Sequence, residues 1–139
     1  MQDREGNDRN RQVIEAFRAN AGKVGGSGPS QLLLLTTTGA KSGKRHTTPV
    51  GYLEENGRVY VFASKGGAPV SPDWYHNLVA NPTVTVELGP DKFEAKAAPV
   101  KGEERDRIYA RQAQRAPVFA DYQTRTTRQI PVVELQKTS

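Results

Sequence analysis

This sequence predicts an α+β fold, mainly antiparallel sheet: a β-barrel with peripheral helices. Six short segments have the apolar or alternating pattern of strands, and most neighbours are joined by hairpin turns. Helical segments lie between and outside these strands without alternating with them regularly, which disfavours a parallel doubly wound sheet. Closing the sheet into a barrel removes its open edges. Binding sites tend to lie on loops held by a rigid scaffold, so we expect the functional site in the loops at the barrel rim.

The strands are predicted from their apolar pattern and from the turns between them. The run "QLLLLTTT" is typical of a strand buried on both faces, whereas the later strands alternate apolar and polar residues. Asn56-Gly57 favours a type I′ turn, and Gly89-Pro90-Asp91 separates a second hairpin pair. The predicted strands cover residues 31–38, 46–55, 58–64, 83–88, 92–100 and 130–135.

The helices are predicted from their capping residues. Asp8 is a candidate N-cap for a helix over residues 8–20, which leaves through Asn20-Ala21-Gly22. The Ser71 hydroxyl is a candidate cap for a short aromatic helix that begins at Pro72-Asp73 and ends before Asn81-Pro82. The remaining predicted helices are residues 102–115 and a short turn within residues 117–128.

Length and composition predict one cytoplasmic domain over residues 1–139. Its barrel core is expected at 30–136, after an N-terminal helical arm at 1–22 whose polar composition also allows partial disorder. The sequence has neither a long apolar run nor the apolar core of a secretory signal, so no membrane span is expected. With no cysteine and only two histidines, it offers no metal site.

Positive charge is concentrated in the middle of the chain. The formal net charge is +5, and between Ala16 and Pro72 the only acids are Glu54 and Glu55. The bases of this stretch are Arg18, Lys23, Lys41, Lys44, Arg45, Arg58 and Lys65. Such a distribution favours an anionic partner.

Two strand exits carry the candidate binding residues. After the first, Gly39 and Gly43 could turn backbone amides toward an anion, and Ser42, Thr47, Thr48 and three cations could bind it; the alternative is a solvated hairpin loop. After the second, residues 63–67 run toward Trp74 and Tyr75, which could line the same groove or merely plug the barrel.

Several enzyme classes lack their machinery here. The glycines near Lys44 are too close together for the phosphate-binding loop of a nucleoside triphosphatase, and a strand follows them where a helix should. The sequence has no Gly-x-Ser-x-Gly, no Gly-x-Gly-x-x-Gly after a strand and no carboxylate pair among these residues. Cations, hydroxyls and aromatic rings without a base or nucleophile favour a bound cofactor that performs the chemistry, and hydride transfer suits such a site.

Four blocks of the sequence resemble one family in order and spacing. They are "LLLLTTTGAKSGKRHTTPVGYL", "VYVFASKGGAPVSPDWYHNLVANPTVTVEL", "GEERDRIYARQ" and "FADYQTRTTRQIPVVEL". From about Val13 onward the chain is similar to the deazaflavin-dependent nitroreductases, split β-barrel oxidoreductases of the flavin-binding-like fold. They use reduced 8-hydroxy-5-deazaflavin, coenzyme F420, whose phosphate and glutamyl tail would explain why residues 32–50 contain no acid.

The resemblance implies a role for each matching residue. The tail would lie against the basic loop, the deazaflavin ring beside the second strand exit, and the short aromatic helix would close that side. The implied cofactor-binding residues are Lys41, Ser42, Gly43, Lys44, Arg45, Thr48, Pro49, Val50, Ala63, Ser64, Lys65, Gly66, Gly67, Trp74, Tyr75 and Asn77. The loop departs from the family at two positions. Ala40 stands where a basic residue is usual, and His46 stands where the family usually has arginine, with Arg45 one residue earlier in this chain.

Three residues are candidates on the substrate side. Ser64 could stabilise negative charge in the manner of an oxyanion site. Tyr122 matches a substrate-covering tyrosine of the family, while Phe119 replaces another, and Tyr52 is a further candidate. We expect His76 to have a packing or capping role and His46 to be at most a phosphate donor.

The predicted reaction is hydride transfer from reduced coenzyme F420 to a small electron-poor acceptor, such as a quinone, an enone or a nitro compound. Three alternatives stay open: an FMN enzyme on the same barrel, a nucleic-acid-binding barrel and a noncatalytic carrier. Few aromatic residues argue against nucleic acid. A monomer or homodimer is expected, with peripheral membrane contact if the acceptor is a membrane quinone.

Overall fold

The structure, a computed structural model, describes residues 4–19, 31–67 and 70–138. Its helices are α1 (Arg4–Ala19), α2 (Asp73–Ala80), α3 (Gly102–Arg115) and α4 (Val118–Thr124), and a 3-10 turn spans Lys65–Gly67. Its strands are β1 (Gln31–Thr38), β2 (Arg45–Glu55), β3 (Arg58–Phe62), β4 (Thr83–Leu88), β5 (Asp91–Val100) and β6 (Val132–Lys137).

The six strands form a closed barrel in the order β1-β2-β3-β6-β5-β4, and every neighbouring pair is antiparallel. The predicted fold class is therefore confirmed. Asn56 and Gly57 have φ values of 55° and 78°, as a type I′ turn requires at both central positions, so the predicted hairpin between β2 and β3 is also confirmed.

Alternation along the strands separates two apolar cores. Inward residues such as Leu33, Leu35 and Val61 form one cluster with Trp74 and Leu78 of α2. Because Trp74 and Leu78 are buried in that cluster, α2 closes one end of the barrel. Outward residues of β2, β3 and β6 form the second cluster with α3 and α4; its members are Leu53, Tyr60, Phe62, Ile108, Tyr109, Ala116, Phe119, Ile130 and Val132.

Helix α1 lies against the outside of the barrel. Phe17 is 2% exposed, and the guanidinium of Arg18 makes two hydrogen bonds to the Glu87 carboxylate on β4, at 3.0 and 2.8 Å. The helix begins at Arg4, so Asp8 lies within it and the predicted N-cap is wrong. Its first turns are polar and carry no apolar period that would have revealed them. The predicted exit at residues 20–22 and the loop to residue 30 lie outside the described residues.

Five strand boundaries differ from the prediction by one or two residues: the starts of β2, β5 and β6 and the ends of β3 and β6. At two of them, side chains bind the backbone. The β3 strand ends at Phe62 instead of Ser64, since the carbonyls of Ala63 and Ser64 bind Arg128. The β6 strand begins two residues after Ile130, whose amide donates to the Gln123 side chain at 3.1 Å and is lost to the ladder.

The Ser71 cap is also wrong. The residue before α2 is Pro72, with extended φ and ψ and no side-chain cap bond. Ser71 is therefore one residue too early, and its hydroxyl accepts a hydrogen bond from Arg128 instead, at 3.3 Å.

Among the described residues, no helix is long and apolar enough to cross a membrane. The same part of the chain has no cluster of three or more metal-ligating side chains.

Candidate functional site

The loop between β1 and β2 is closed by its own backbone. The Gly39 amide donates to the Lys44 carbonyl at 2.7 Å, the Gly43 amide donates to the Gly39 carbonyl at 3.0 Å, and the Lys44 amide donates to the Ser42 hydroxyl at 3.1 Å. Gly43 adopts the left-handed conformation, with φ of 71°. The expectation that these amides face a ligand therefore fails for Gly39, Gly43 and Lys44. The amides of Lys41 and Ser42 have no hydrogen-bond partner within the described residues.

Helix α2 holds this loop in place through an asparagine. The Asn77 Oδ1 atom accepts from the Ala40 amide at 3.0 Å, and its Nδ2 donates to the Thr37 hydroxyl at 3.2 Å. Asn81 reaches the Thr38 carbonyl at 3.4 Å. The β1–β2 loop and α2 thus form one unit, and its geometry is set before any ligand binds.

A cleft of about 1010 Å³ lies between this loop and α2. Its walls come from α1, from the adjacent ends of β1 and β2, and from the start of α2. The lining residues are Arg11, Ile14, Thr37, Gly39, Ala40, Lys41, Ser42, His46, Thr47, Thr48, Pro72, Asp73, Trp74, His76 and Asn77. A volume of this size is sufficient for an extended, cofactor-sized ligand.

The predicted cofactor residues do not all meet in this cleft. Those that line it are Lys41, Ser42, Thr48, Trp74 and Asn77. Thr48 and Val50 face the inside of the barrel along β2, where Val50 is buried in the core, and Pro49 is half-buried between them.

The three cations of the loop separate. Lys41 lines the cleft, whereas Lys44 is exposed and is not part of its lining. Arg45 reaches across the sheet, where its guanidinium donates to the hydroxyls of Thr38 and Thr85. Only one member of the predicted basic trio therefore faces the cleft.

The second strand exit lies at the same end of the barrel but outside the cleft lining. The Arg128 guanidinium donates to the carbonyls of Ala63 and Ser64 at 3.1 and 3.0 Å. Gly67 has φ of 84°, and a Cβ there would stand 2.8 Å from the Tyr122 carbonyl oxygen, so this turn sits directly on α4. Lys65 is exposed, and residues 68 and 69 lie outside the description.

The sequence allowed Trp74 either to plug the barrel or to line the groove, and it does both. The residue is 7% exposed within the barrel core and also lines the cleft. Tyr75 is half-buried and meets His76 edge to face, with ring centroids 5.9 Å apart. The imidazole of His46 lies beside Gly39, where an added Cβ would stand 3.3 Å from Nε2.

The substrate-side candidates do not line this cleft either. Tyr52 is half-buried against the barrel core, and burial is the main cause that raises the pKa of its hydroxyl. Tyr122 packs on Phe119, with ring centroids 5.2 Å apart. Ser64 is half-buried at the second exit.

Sequence reasoning missed three residues at this end of the barrel. Arg11 and Ile14 of α1 reach the cleft, and Arg128 holds the second exit. The apolar spacing of Ile14 and Phe17 marked a packing face on α1, but nothing local indicated which strands it would meet. Arg128 carried no signal beyond its position between a helical turn and a strand.

The family model of the F420H2-dependent quinone reductases matches residues 9–137. The chain belongs to this family. It is 43% identical over 130 residues to an F420H2-dependent quinone reductase of Mycobacterium tuberculosis H37Rv, with 87% of this chain and 85% of that protein covered. A second relative of that name in the same organism is 34% identical over 108 residues, which covers 78% of this chain and 91% of the relative.

Solved structures agree with this membership. An F420H2-dependent reductase, FDR-A, is 44% identical with a TM-score of 0.70, over 76% of this chain and 93% of that one. A protein described as a domain-swapped dimer is 40% identical with a TM-score of 0.72, over 96% of both chains. The haem storage protein HutZ of Vibrio cholerae, 17% identical with a TM-score of 0.60 over 91% of this chain and 88% of that one, shares the fold alone.

The resemblance inferred from the sequence is thereby confirmed. The matched family is described by quinone reduction, a narrower activity than the nitroreductase name of the resemblance. This quinone reductase family member is an oxidoreductase that uses coenzyme F420, and the FMN alternative is not supported.

Proposed function

We propose that this protein transfers a hydride from reduced coenzyme F420 to a quinone in the cytoplasm. The observation that carries the proposal is the cleft between the β1–β2 loop and α2, at the end of the barrel where both strand exits emerge. Family membership supports the donor and the acceptor class. Among acceptors, the quinone is preferred over an enone or a nitro compound because the relatives are described as quinone reductases.

The cleft fits the anionic tail of the cofactor at the loop. Lys41 contributes a cation, and the amides of Lys41 and Ser42 are available as donors. The Thr48 hydroxyl and the His46 ring add further polar atoms, and Asp73 is the only acid among the described residues of the lining. A charge-assisted hydrogen bond to a phosphate or carboxylate contributes about 1.5–3 kcal/mol, so the loss of one such contact should weaken binding about tenfold or more.

If the cofactor tail binds at Lys41, the deazaflavin ring would lie near α2 and the second strand exit. When bound, reduced coenzyme F420 supplies a hydride and a proton, which together convert a quinone to a hydroquinone. The chain's own contribution is placement, because hydride transfer depends on closeness and alignment of donor and acceptor more than on a resident acid or base. Trp74 gives the ring an apolar wall, and Ser64 supplies a polar group at the exit. Tyr122 and Tyr52 are proposed to act on the acceptor side.

Assembly belongs to the same proposal. A relative with 40% identity is described as a domain-swapped dimer, which supports a homodimer for this chain. Peripheral contact with a membrane follows if the acceptor is a membrane quinone.

A fluorescence titration tests the cofactor assignment. Trp74 is the only tryptophan and lines the cleft, so binding there changes its emission directly. We expect saturable quenching with coenzyme F420 and none with FMN at equal concentration. Quenching by FMN alone would reject the assignment.

The tail contact is tested by a matched pair of lysine variants. Lys41→Ala removes the cleft cation, and we expect the Kd for coenzyme F420 to rise about tenfold or more at low salt. Lys92→Ala removes the same charge beside the β4–β5 turn, near the opposite end of β1, and should leave the Kd unchanged. Equal affinities in wild type and Lys41→Ala would place the tail elsewhere.

A further inference from the structure

Arg128 binds two backbone carbonyls of a distant segment, which no sequence pattern predicted. It lies in the segment between α4 and β6, and its Nη2 atom donates to two successive carbonyls, those of Ala63 at 3.1 Å and Ser64 at 3.0 Å. Its Nη1 atom donates to the Ser71 hydroxyl at 3.3 Å, next to the residues that begin α2. One guanidinium therefore connects the second strand exit with the residue just before Pro72, where the cleft lining begins on the α2 side.

The arginine is itself held in place. Its carbonyl accepts from the Gln123 side chain at 2.8 Å, and its amide donates to the Thr126 hydroxyl at 3.3 Å. The Gln123 oxygen in turn accepts from Arg105, a residue of α3 that is 7% exposed, at 2.8 Å. The guanidinium thus reaches the exit from a braced segment, which is what preorganisation requires.

These bonds fix the direction of two amides that the protein itself does not use. In a trans peptide the C=O and the following N–H point in opposite directions. Holding the carbonyls of Ala63 and Ser64 toward Arg128 therefore turns the amides of Ser64 and Lys65 away from it. Neither amide has a hydrogen-bond partner within the described part of the chain.

The local backbone favours an anion at this point. Lys65 adopts the left-handed conformation, with φ of 45°, and the Gly67 amide closes the turn on the Ser64 carbonyl at 2.9 Å. Successive amides in such a turn form a concave donor site for an anionic oxygen. Ser64 is half-buried and Lys65 is exposed, so the turn that carries both amides lies at the protein surface.

We propose that Arg128 is a positioning residue that aims the amides of Ser64 and Lys65 at an oxygen carrying negative charge during hydride transfer. This rests on the proposed function, and it adds a residue outside the cleft lining to the working parts of the site. The oxygen belongs either to the deazaflavin ring or to the quinone being reduced. Both are the same chemistry, an oxyanion held by preorganised donors.

The test compares Arg128→Gln and Arg128→Lys with wild type, using reduced coenzyme F420 and the small quinone menadione. Glutamine cannot hold two carbonyls and Ser71 together, so we expect kcat to fall about tenfold to a hundredfold. Lysine keeps the charge but loses the planar fork, so a smaller loss is expected. Arg107→Gln removes a guanidinium that pairs with Glu55 on the outside of the barrel and should retain wild-type kcat.

Separate readouts distinguish the two oxygens and exclude a purely structural effect. If the bound oxygen belongs to the deazaflavin ring, the Arg128 variants should have a higher Kd for the cofactor and an altered absorbance spectrum of the bound ring. If it belongs to the quinone, the variants should have an unchanged Kd for the cofactor and a lower kcat. Wild-type kcat and Kd in both Arg128 variants would overturn the proposal, as would a kcat loss that disappears when rates are normalised to the folded fraction. Failure of wild type to bind coenzyme F420 would instead reject the proposed function.

Discussion

The basic residues of the acid-poor stretch between Ala16 and Pro72 have different partners in the folded chain. Arg18 pairs with Glu87 on β4, at 2.8 Å, and Arg58 lies 4.0 Å from Glu134 on β6. Both acids come from the later half of the sequence, so a stretch that is poor in acids along the chain meets acids in space. Lys41 lines the cleft and has no ion pair within the described residues, which makes it the cation best placed for a ligand.

The two glycines of the basic loop are required for different reasons. A Cβ on Gly39 would stand 2.5 Å from the Ser42 hydroxyl, which would have to leave the Lys44 amide. We expect Gly39→Ala to weaken cofactor binding by about 1 kcal/mol, roughly fivefold, as the loop loses a hydrogen bond. Trp74 quenching measures the affinity.

Gly43→Ala is the matched control for that prediction. Gly43 has φ of 71° and no atom within 4 Å of an added Cβ, so the cost is backbone strain alone. It should lower the free energy of unfolding by about 1–2 kcal/mol, measured by denaturant titration. If both variants behaved alike in binding and stability, the proposed steric role of Gly39 would be wrong.

At the scale of elements, α3 and α4 dock on the barrel through an aromatic cluster. The ring of Phe62 on β3 lies 5.9 Å from Tyr109 and 5.6 Å from Phe119, both in edge-to-face geometry. The Tyr109 hydroxyl donates to the Phe119 carbonyl at 2.6 Å and so connects the two helices. This joint supports α4, on which the turn at Gly67 rests.

The same joint predicts how stability depends on alkaline pH. Burial raises the pKa of Tyr109 to about 12 from its ordinary value of 10.0. Between these pH values the unfolded chain has lost the proton and the folded chain keeps it, so this tyrosine's contribution is complete below pH 10 and declines as pH rises to 12. We expect Tyr109→Phe to show a shallower decline in the free energy of unfolding above pH 10, measured by urea titration at several pH values. Identical slopes in both proteins would contradict the assignment.

At the scale of the whole molecule, α1 connects one face of the barrel with the cleft. Phe17 anchors the helix, and Arg11 and Ile14 extend to the cleft wall. We expect Phe17→Ala to destabilise helix docking by about 3–5 kcal/mol and thereby to weaken coenzyme F420 binding. Limited proteolysis within residues 4–19 and the Trp74 titration measure the two effects.

Arg18→Ala is the comparison for that variant. It removes a pair whose arginine side chain is 51% exposed, so the expected cost is below about 1 kcal/mol. Tight cofactor binding by Phe17→Ala, with α1 open to protease, would show that the helix is not part of the working site.

The sequence by itself determined the architecture and the family. Apolar alternation, the Asn56-Gly57 turn and the helix stop residues act over a few neighbours, so strands, hairpins and most helix ends could be read directly. The cofactor was identified by resemblance to the deazaflavin enzymes. The exceptions include both predicted helix caps, Asp8 and Ser71, and the end of β3 and the start of β6, where distant side chains bind the backbone.

Only the tertiary structure decided which residues meet. Closing the barrel brings β4 beside β1, so Arg45 turns toward Thr85 and away from the cleft. The same closure brings α1 to the cleft wall and carries Arg128 across to a strand exit 64 residues earlier in the chain. These contacts depend on register and on the docking of elements far apart in sequence, and local periodicity contains no information about either.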